Sequence, residues 1–521
     1  MNTIDILSIA SAICPDRAAI VFEGKRLSFA QLADRVNRLA NALLESGVEK
    51  GDRVAILQVN CPEFVEIYFA TAKVGGICVP LNFRAKQEEL THTLNSSEAK
   101  ILCAGGRYTG LVTDMQATLT TPPRLVAMDG TVSGMENYAE LVADGSSDEP
   151  SVAIDDDDVT ILMYTAGTTG LPKGVPLRHS AFSVYLLGNV TPVDLDMEET
   201  NILSVPLYHV AGIQAMIAAV YGGRTIALMR QFEADEWLDT VEREKAHRAM
   251  LVPTMLKRIV DHPDLAKWDL SSLQVITYGA ASMPFEVIKK AIETFPDVMF
   301  INAFGQTETA STITMLGPED HKLSGDETEE ERDKKLNRLA HSIGRPMADI
   351  EIQIWGEGGR RLPVREVGEI MARGARVMSG YWKDAEKTAK ALTEDGWLHT
   401  NDTGYMDEDG YIFLSGRSDD MIIRGGENIS PEEVENVLHA HPKVSDASLI
   451  GVPDPEWGQD PRAIVVLKDG QTATEGEIID FCRERMAGFK RPRSVVFVDD
   501  LPRTSTGKVQ RKVLRDLYGA P

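Results

Sequence analysis

Two features of the chain predict an α/β protein with a large N-terminal domain of layered α/β sheets and a small, mobile α+β C-terminal domain. Over residues 1 to 415, short β-rich runs bounded by glycine alternate with amphipathic segments, and near Ser415-Gly-Arg-Ser-Asp-Asp420 a compact unit with its own helix caps takes over. Alternating βα patterning signals layered, largely parallel sheets, whose buried strands read as near-continuous apolar runs. At 521 residues the chain also exceeds what one hydrophobic core serves. The division is placed at 1–417 and 418–521.

The runs at 54–59, 77–81, 159–165, 225–229, 275–278 and 298–303 are the strands expected of the large domain. Ligands of such sheets gather at the carboxyl ends of strands, and several unusual motifs fall just there. In the small domain, Ser430-Pro-Glu-Glu433 reads as a capping box with proline at the first helical position, and Val434, Val437 and Leu438 then share one face. Thr474-Glu-Gly-Glu477 opens a second helix in the same way, with Ile478, Phe481, Cys482 and Met486 facing inward. Strands are expected at 447–452, 463–467 and 495–498, and there is no internal repeat.

Composition narrows the function classes. Hydrophobic residues make up 43% and charged residues 26% of the chain, ordinary for a soluble globular protein. The formal net charge of -25 repels phosphate backbones at long range, which argues against nucleic-acid binding. Local basic pockets for a nucleotide are still allowed, because they act within about a Debye length. Cys14, Cys61, Cys78, Cys103 and Cys482 are scattered without metal-ligand spacing, which fits a reducing compartment and small buried hydrophobes. The opening segment has only a short apolar stretch, carries Asp5 and lacks a basic start, so it predicts an amphipathic helix and not a signal peptide. The apolar run 210–223 is too short to span a bilayer. A cytoplasmic chain without a transmembrane segment is expected; a homodimer and peripheral membrane contact are left open. Asp155 to Asp158 and the charged stretch 318–341 read as a solvated loop and an exposed helix, although a cation site is conceivable for the first.

The strongest chemical signal is Tyr164-Thr-Ala-Gly-Thr-Thr-Gly-Leu-Pro-Lys-Gly-Val175. A strand ending at Thr165 runs into Ala166, Gly167, Thr168, Thr169 and Gly170, with Lys173 beside them. Glycines admit positive φ and close backbone approach, hydroxyls and freed N–H groups converge, and the lysine adds a cation: a phosphate cradle. It is not a Walker A loop, because Lys173 is followed by Gly174 and the glycine spacing differs. A plain glycine turn with a surface lysine is the bland alternative.

This loop closely resembles the phosphate loop of the adenylate-forming superfamily, which contains acyl-CoA synthetases, peptide-synthetase adenylation domains and luciferases. Six further motifs match in order: Pro206-Leu-Tyr-His-Val-Ala-Gly212, Tyr278-Gly-Ala-Ala-Ser-Met-Pro284, Asn302-Ala-Phe-Gly-Gln-Thr-Glu308, Trp397-Leu-His-Thr-Asn-Asp402, Ser415-Gly-Arg417 and Pro502-Arg-Thr-Ser-Thr-Gly-Lys508. The reaction this implies starts with attack of a carboxylate on the α-phosphate of ATP, two anions whose approach is an electrostatic problem. Lys508, on a glycine-bearing loop, is the implied bridge between them. Glu308 resembles the family's Mg²⁺ ligand, with Thr307 beside it for substrate and phosphate oxygens. Asn302, Ala303, Phe304, Gly305 and Gln306 are expected at the nucleotide, Phe304 standing where tyrosine is common and keeping only its stacking face. Gly279, Ala280 and Ala281 are small enough for backbone contact with adenine and the acyl carboxylate. Asp402 is implied to accept the ribose hydroxyls and Arg417 to donate from the domain junction. Asn401 replaces a usual glycine, which puts the local backbone in question, and Ala166 replaces a common serine. His209 is implied as a gate between acyl pocket and thiol tunnel; without the resemblance it would read as structural.

A second set of matches points to coenzyme A as acceptor. Arg424-Gly-Gly-Glu-Asn428, with Gly425 and Gly426, resembles the glycine loop lining a pantetheine tunnel, and Phe489-Lys-Arg-Pro-Arg493 pairs an aromatic with Arg491 and Arg493 for adenine and the 3′-phosphate. Trp457 is a further stacking candidate; a solvated basic face is the alternative. Lys508 and the glycine loop serve different half-reactions from one small domain, so rotation about a hinge, matched to Asp419, is implied. The expected activity is an AMP-forming acid–CoA ligase using ATP, Mg²⁺ and CoA. Its rivals are an adenylating enzyme that loads a carrier protein or releases the adenylate, and a nucleotide sensor without turnover. Segments 208–216, 278–283 and 303–312 are apolar or small and hold no basic residue for a second carboxylate, so a fatty or aromatic monocarboxylic acid is expected.

Overall fold

The structure is a computed structural model that describes residues 1–165, 171–322, 325, 327–417, 420–425, 427–504 and 507–520, with Arg417 and Asn428 by backbone alone. The described residues form three sheets of thirteen, seven and five strands with helices packed on them. The mixed α/β class, with a large N-terminal and a small C-terminal domain, is as the sequence predicts.

In the seven-stranded sheet, Ile101–Ala104, Arg53–Leu57, Ile77–Pro80 and Val159–Thr165 run parallel. The last of these turns back antiparallel into Lys173–Arg178, Thr165 facing Lys173. The chain between them, 166–170, carries the phosphate-loop motif and lies outside the described residues.

In the thirteen-stranded sheet, Thr200–Leu203, Arg248–Leu251, Val275–Gly279 and Met299–Gln306 are parallel, and Ser311–Leu316 then pairs antiparallel with Met299–Gln306. The reversal comes from a tight hairpin. A Cβ on Gly305 would sit 1.7 Å from the Ser311 carbonyl oxygen, so only glycine fits. The strand expected at 298–303 is therefore longer, because the glycine permits pairing through Gln306.

The helix Pro62–Lys73 is buried on almost every side, and its two buried charges are satisfied. Glu66 accepts from Arg35 at 2.7 and 2.9 Å and from the Tyr138 hydroxyl at 2.6 Å. Lys73 donates to Asn37 at 2.7 Å and Glu149 at 2.8 Å. The five cysteines are free and buried as expected, and burial pushes the Cys103 thiol up to about 12.

In the small domain, Ile422–Arg424, Val444–Asp454 and Gly458–Leu467 pair antiparallel and Ser494–Phe497 adds in parallel. Pro431–His439 and Glu475–Arg483 begin where the caps predict, but each cap is only half of a box. Ser430 and Thr474 accept their N3 amides, while Glu433 is taken by Lys490 at 2.7 Å and Glu477 by Lys443 at 2.8 Å. Val434, Leu438, Ile478 and Cys482 form the core as expected; Phe481 is half-buried against His441. No helix among the described residues is long and apolar enough to cross a membrane. Asp157 and Asp158 pair with Arg178 and Lys50, so this acidic run meets the chain's own cations.

Candidate active site

The strand Met299–Gln306 ends in a single 3-10 turn, Thr307–Thr309, that presents Glu308. Fully buried Thr309 staples the turn: its hydroxyl lies 2.9 Å from the Gln306 carbonyl and 2.8 Å from that of Ser311. Ala310 and Ser311 follow with φ of 48° and 88°, a left-handed pair that side chains rarely adopt and a local strain of about 1–3 kcal/mol each. Glu308 is tied down from the opposite direction. The Tyr381 hydroxyl donates to its Oε1 at 2.9 Å and the Met378 amide to its carbonyl at 2.8 Å.

Lys173 joins this group through the same tyrosine. Its Nζ lies 5.1 Å from the centroid of the Tyr381 ring, within cation–π range. The Lys173 ammonium and the Glu308 carboxylate thus flank one aromatic ring. Trp382 closes the hairpin from outside: its amide donates to Gly174 at 2.8 Å and its indole to the Ser96 carbonyl at 3.2 Å. Neither aromatic was singled out in the sequence. The available signal was Gly380-Tyr-Trp382, a glycine with φ of 143° before two adjacent aromatics.

Beside Met299–Gln306, the strand Val275–Gly279 places Gly279 opposite Ala303. A Cβ there would lie 2.1 Å from the Ala303 oxygen, and Ala280 turns the chain away at φ of 67°. Thus Gly279, Ala280 and Ala281 emerge next to Asn302, Ala303, Phe304, Gly305 and Gln306. One face of Phe304 packs on the cluster around Ile313 and Ile343, which leaves part of the ring accessible. The enclosed amide nitrogen of Gln306 has no hydrogen-bond partner among the described residues.

Asp402, 6% exposed, sits opposite Arg417 across Leu398–Met406 and Ile412–Arg417. Asn401 adopts φ of 59°, the left-handed region that glycine would fill and asparagine tolerates, so the substitution keeps the backbone turn. The Arg417 side chain, Ser418, Asp419 and Gly426 lie outside the described residues, as do Ala166, Gly167, Thr168, Thr169 and Gly170.

Lys508 reaches this region from the small domain. Its neighbour Gly507 packs on the large domain so closely that a Cβ would lie 2.9 Å from Thr254 Oγ1. His209 caps the helix Val210–Tyr221, with its ring 4.2 Å from that of Tyr208. Burial first, then the nearby Lys508 and Arg84 cations, hold its imidazole down at about 3. The histidine is neutral at physiological pH and can act there without charge.

The described CoA candidates Gly425, Trp457, Phe489, Arg491 and Arg493 lie in connections that flank strands of the small-domain sheet. Gly425, at φ of 59°, donates its amide to the Trp457 carbonyl at 2.8 Å, and a Cβ would meet the indole at 2.6 Å. Trp457 is 43% exposed, with Arg424 4.7 Å from its ring centroid. Phe489 packs against the small-domain core. Lys490 is consumed by Glu433, whereas the Arg491 and Arg493 guanidinium groups donate to the Gly488 carbonyl and form no salt bridge among the described residues. Their charges stay open to an anion.

The fit of Mg²⁺ rests on Glu308. Among the described residues no group of three or more acidic, histidine or cysteine side chains converges on one point. One fixed carboxylate suits magnesium, which keeps water and phosphate oxygens as its other ligands.

A large α/β domain whose strand ends face a lysine-bearing turn from a small α+β domain is the architecture of the adenylate-forming enzymes. The chain belongs to the AMP-binding enzyme family: the family model matches residues 9–382 and that of the AMP-binding enzyme C-terminal domain matches residues 433–508. It is 36% identical over 507 residues to a feruloyl-CoA synthase of Amycolatopsis sp, covering 97% of this chain and 96% of the relative. To an indoleacetate–CoA ligase of Aromatoleum aromaticum it is 33% identical over 507 residues, covering 96% and 95%. Among solved structures it resembles the anthranilate CoA ligase AuaEII in complex with anthranoyl-AMP, with TM-score 0.89, 27% identity, and 99% and 97% of the chains covered.

Proposed function

We propose that this chain is an AMP-forming acid–CoA ligase acting on a fatty or aromatic monocarboxylic acid. In the first half-reaction a carboxylate oxygen bonds to the α-phosphorus of ATP, the α–β phosphoanhydride bond breaks and pyrophosphate leaves. In the second, the CoA sulfur bonds to the acyl carbon, the acyl–phosphate C–O bond breaks, AMP leaves and the thiol proton passes to solvent.

The observation that carries this proposal is the docking of the Gly507–Lys508 turn on Thr254, which brings a cation from the small domain close enough to depress His209. Lys508 then draws the carboxylate and α-phosphate together. Lys173 and the 166–170 loop hold the β- and γ-phosphates. Mg²⁺, when bound at Glu308, neutralises phosphate charge. Asp402 orients the ribose, and Gly279 to Ala281 with Asn302 to Gln306 enclose adenine and the acid, with the Gln306 amide as a waiting donor. Neutral His209 separates acid from thiol. Gly425, Gly426, Trp457, Phe489, Arg491 and Arg493 receive CoA after the small domain, residues 418–521, turns about Asp419.

Incubating the enzyme with ATP and a panel of monocarboxylic and dicarboxylic acids tests this. Pyrophosphate release with a monocarboxylic acid, and a thioester only when CoA is added, is the expected result. Release without thioester would point to a carrier protein as acceptor, and no release with any acid to a sensor.

A further inference from the structure

The proposed function gives Lys508 a demanding task, since a flexible side chain on a glycine turn must meet two anions. The turn is closed by backbone bonds: Arg503 and Val509 form an antiparallel bridge, Thr504 N donates to Lys508 O at 2.7 Å and Gly507 N to Thr504 O at 2.9 Å. The Lys508 amide donates to Thr504 Oγ1 at 3.1 Å. These bonds shape the turn from within. Gly507, at φ of +78°, can be only glycine or a strained residue.

The Arg503 side chain ties the turn to the small-domain sheet. Arg503 Nη1 donates to the Gly507 carbonyl at 2.5 Å, the peptide immediately before Lys508, while Nη2 pairs with the Asp446 carboxylate. Asp446 belongs to Val444–Asp454, the edge strand that pairs along its length with Gly458–Leu467 in the small-domain sheet. Both arginine and aspartate side chains are 25% exposed, so the pair is shielded and not a loose surface contact. Gln510 holds the arginine's own backbone, Nε2 to Arg503 O at 3.2 Å. The planar fork suits this double duty, since a lysine has no second arm at a fixed angle.

We propose that Arg503, braced by Asp446, is the positioning residue for Lys508, coupling the direction of the adenylating lysine to the rigid sheet of the small domain. This rests on the assignment of Lys508 to adenylation. Thioester formation does not use Lys508, so Arg503 should matter in one half-reaction alone.

The test measures adenylation by ATP–pyrophosphate exchange and thioester formation from preformed acyl-adenylate plus CoA. Arg503→Met is expected to slow adenylation tenfold or more and to change thioester formation less than twofold. Arg503→Lys and Asp446→Asn, which disturb packing least, should fall in between and in the same half-reaction. In a Lys508→Ala background, Arg503→Met should slow the residual exchange no further, because the group it positions is gone. Equal losses in both half-reactions, unchanged exchange, or a multiplicative loss on Lys508→Ala would each overturn the proposal. Exchange that survives Lys508→Ala intact would instead overturn the assignment of Lys508 itself.

Discussion

Replacing Tyr381 with phenylalanine isolates one hydroxyl at the heart of the proposed nucleotide site. The ring stays, so Lys173 keeps its aromatic platform at 5.1 Å; the 2.9 Å hydrogen bond to Glu308 is lost. A hydrogen bond to a carboxylate contributes about 1.5–3 kcal/mol. If Glu308 must hold its orientation in the transition state, this loss lowers kcat/KM for ATP by about ten- to a hundredfold, at 1.4 kcal/mol per factor of ten. Tyr381→Leu removes the ring as well and should cost about 0.5–1 kcal/mol more through the lost cation–π contact. The assay is ATP–pyrophosphate exchange at saturating acid, with Mg²⁺ varied; the Phe variant should also need more Mg²⁺ for half-maximal exchange. A Phe variant within twofold of the parent at all Mg²⁺ concentrations would refute the idea that Tyr381 orients Glu308.

Asp419→Pro should leave pyrophosphate exchange within a fewfold and suppress thioester formation, read in the two separate assays; equal loss in both removes Asp419 as the hinge. Gly305→Ala forces a Cβ to within 1.7 Å of Ser311 O and should cost about 3 kcal/mol in urea unfolding, whereas Gly110→Ala, with nothing within 4 Å, should be neutral or stabilise by up to about 1 kcal/mol. Burial holds His179 and His321 at about 4 and His209 at about 3, so the folded chain refuses protons that the unfolded chain takes up near pH 6.5. Stability is therefore intact above pH 6.5 and falls as pH drops toward 4, by about 1.4 kcal/mol per pH unit for each such histidine. His321→Gln should flatten that slope in urea titrations at pH 7 and 5, and an unchanged slope would contradict the assignment. Chelation with EDTA should abolish pyrophosphate exchange yet leave the melting temperature of the nucleotide-free protein unmoved, because Glu308 stands without a protein-built metal cage among the described residues.

Much of the architecture was legible because it rests on local rules. Apolar runs marked strands, and Ser430 and Thr474 marked helix starts within a residue. Their reciprocal halves were not legible, because Glu433 and Glu477 choose lysines far along the chain, a tertiary competition no four-residue pattern reveals. At the proposed site, Gly279, Glu308, Asp402 and Lys508 were pointed to by motifs. Tyr381 and Trp382 were not, since their partners Glu308, Lys173, Gly174 and Ser96 lie between 73 and 286 residues away. Asn401 shows a subtler limit: φ of 59° asks for a left-handed residue, and glycine is only one of those that comply.

Trp382 also has a bearing on the order in which the protein is made. Every strand of the seven-stranded sheet lies between residues 53 and 178, so that sheet can assemble while the ribosome is still synthesising the second. Its phosphate-loop hairpin, however, is clasped by an indole that arrives 286 residues after Ser96. A nascent chain therefore carries this hairpin, complete at Arg178, without its clasp until Trp382 is made 204 residues later, when the thirteen-stranded sheet is nearly complete.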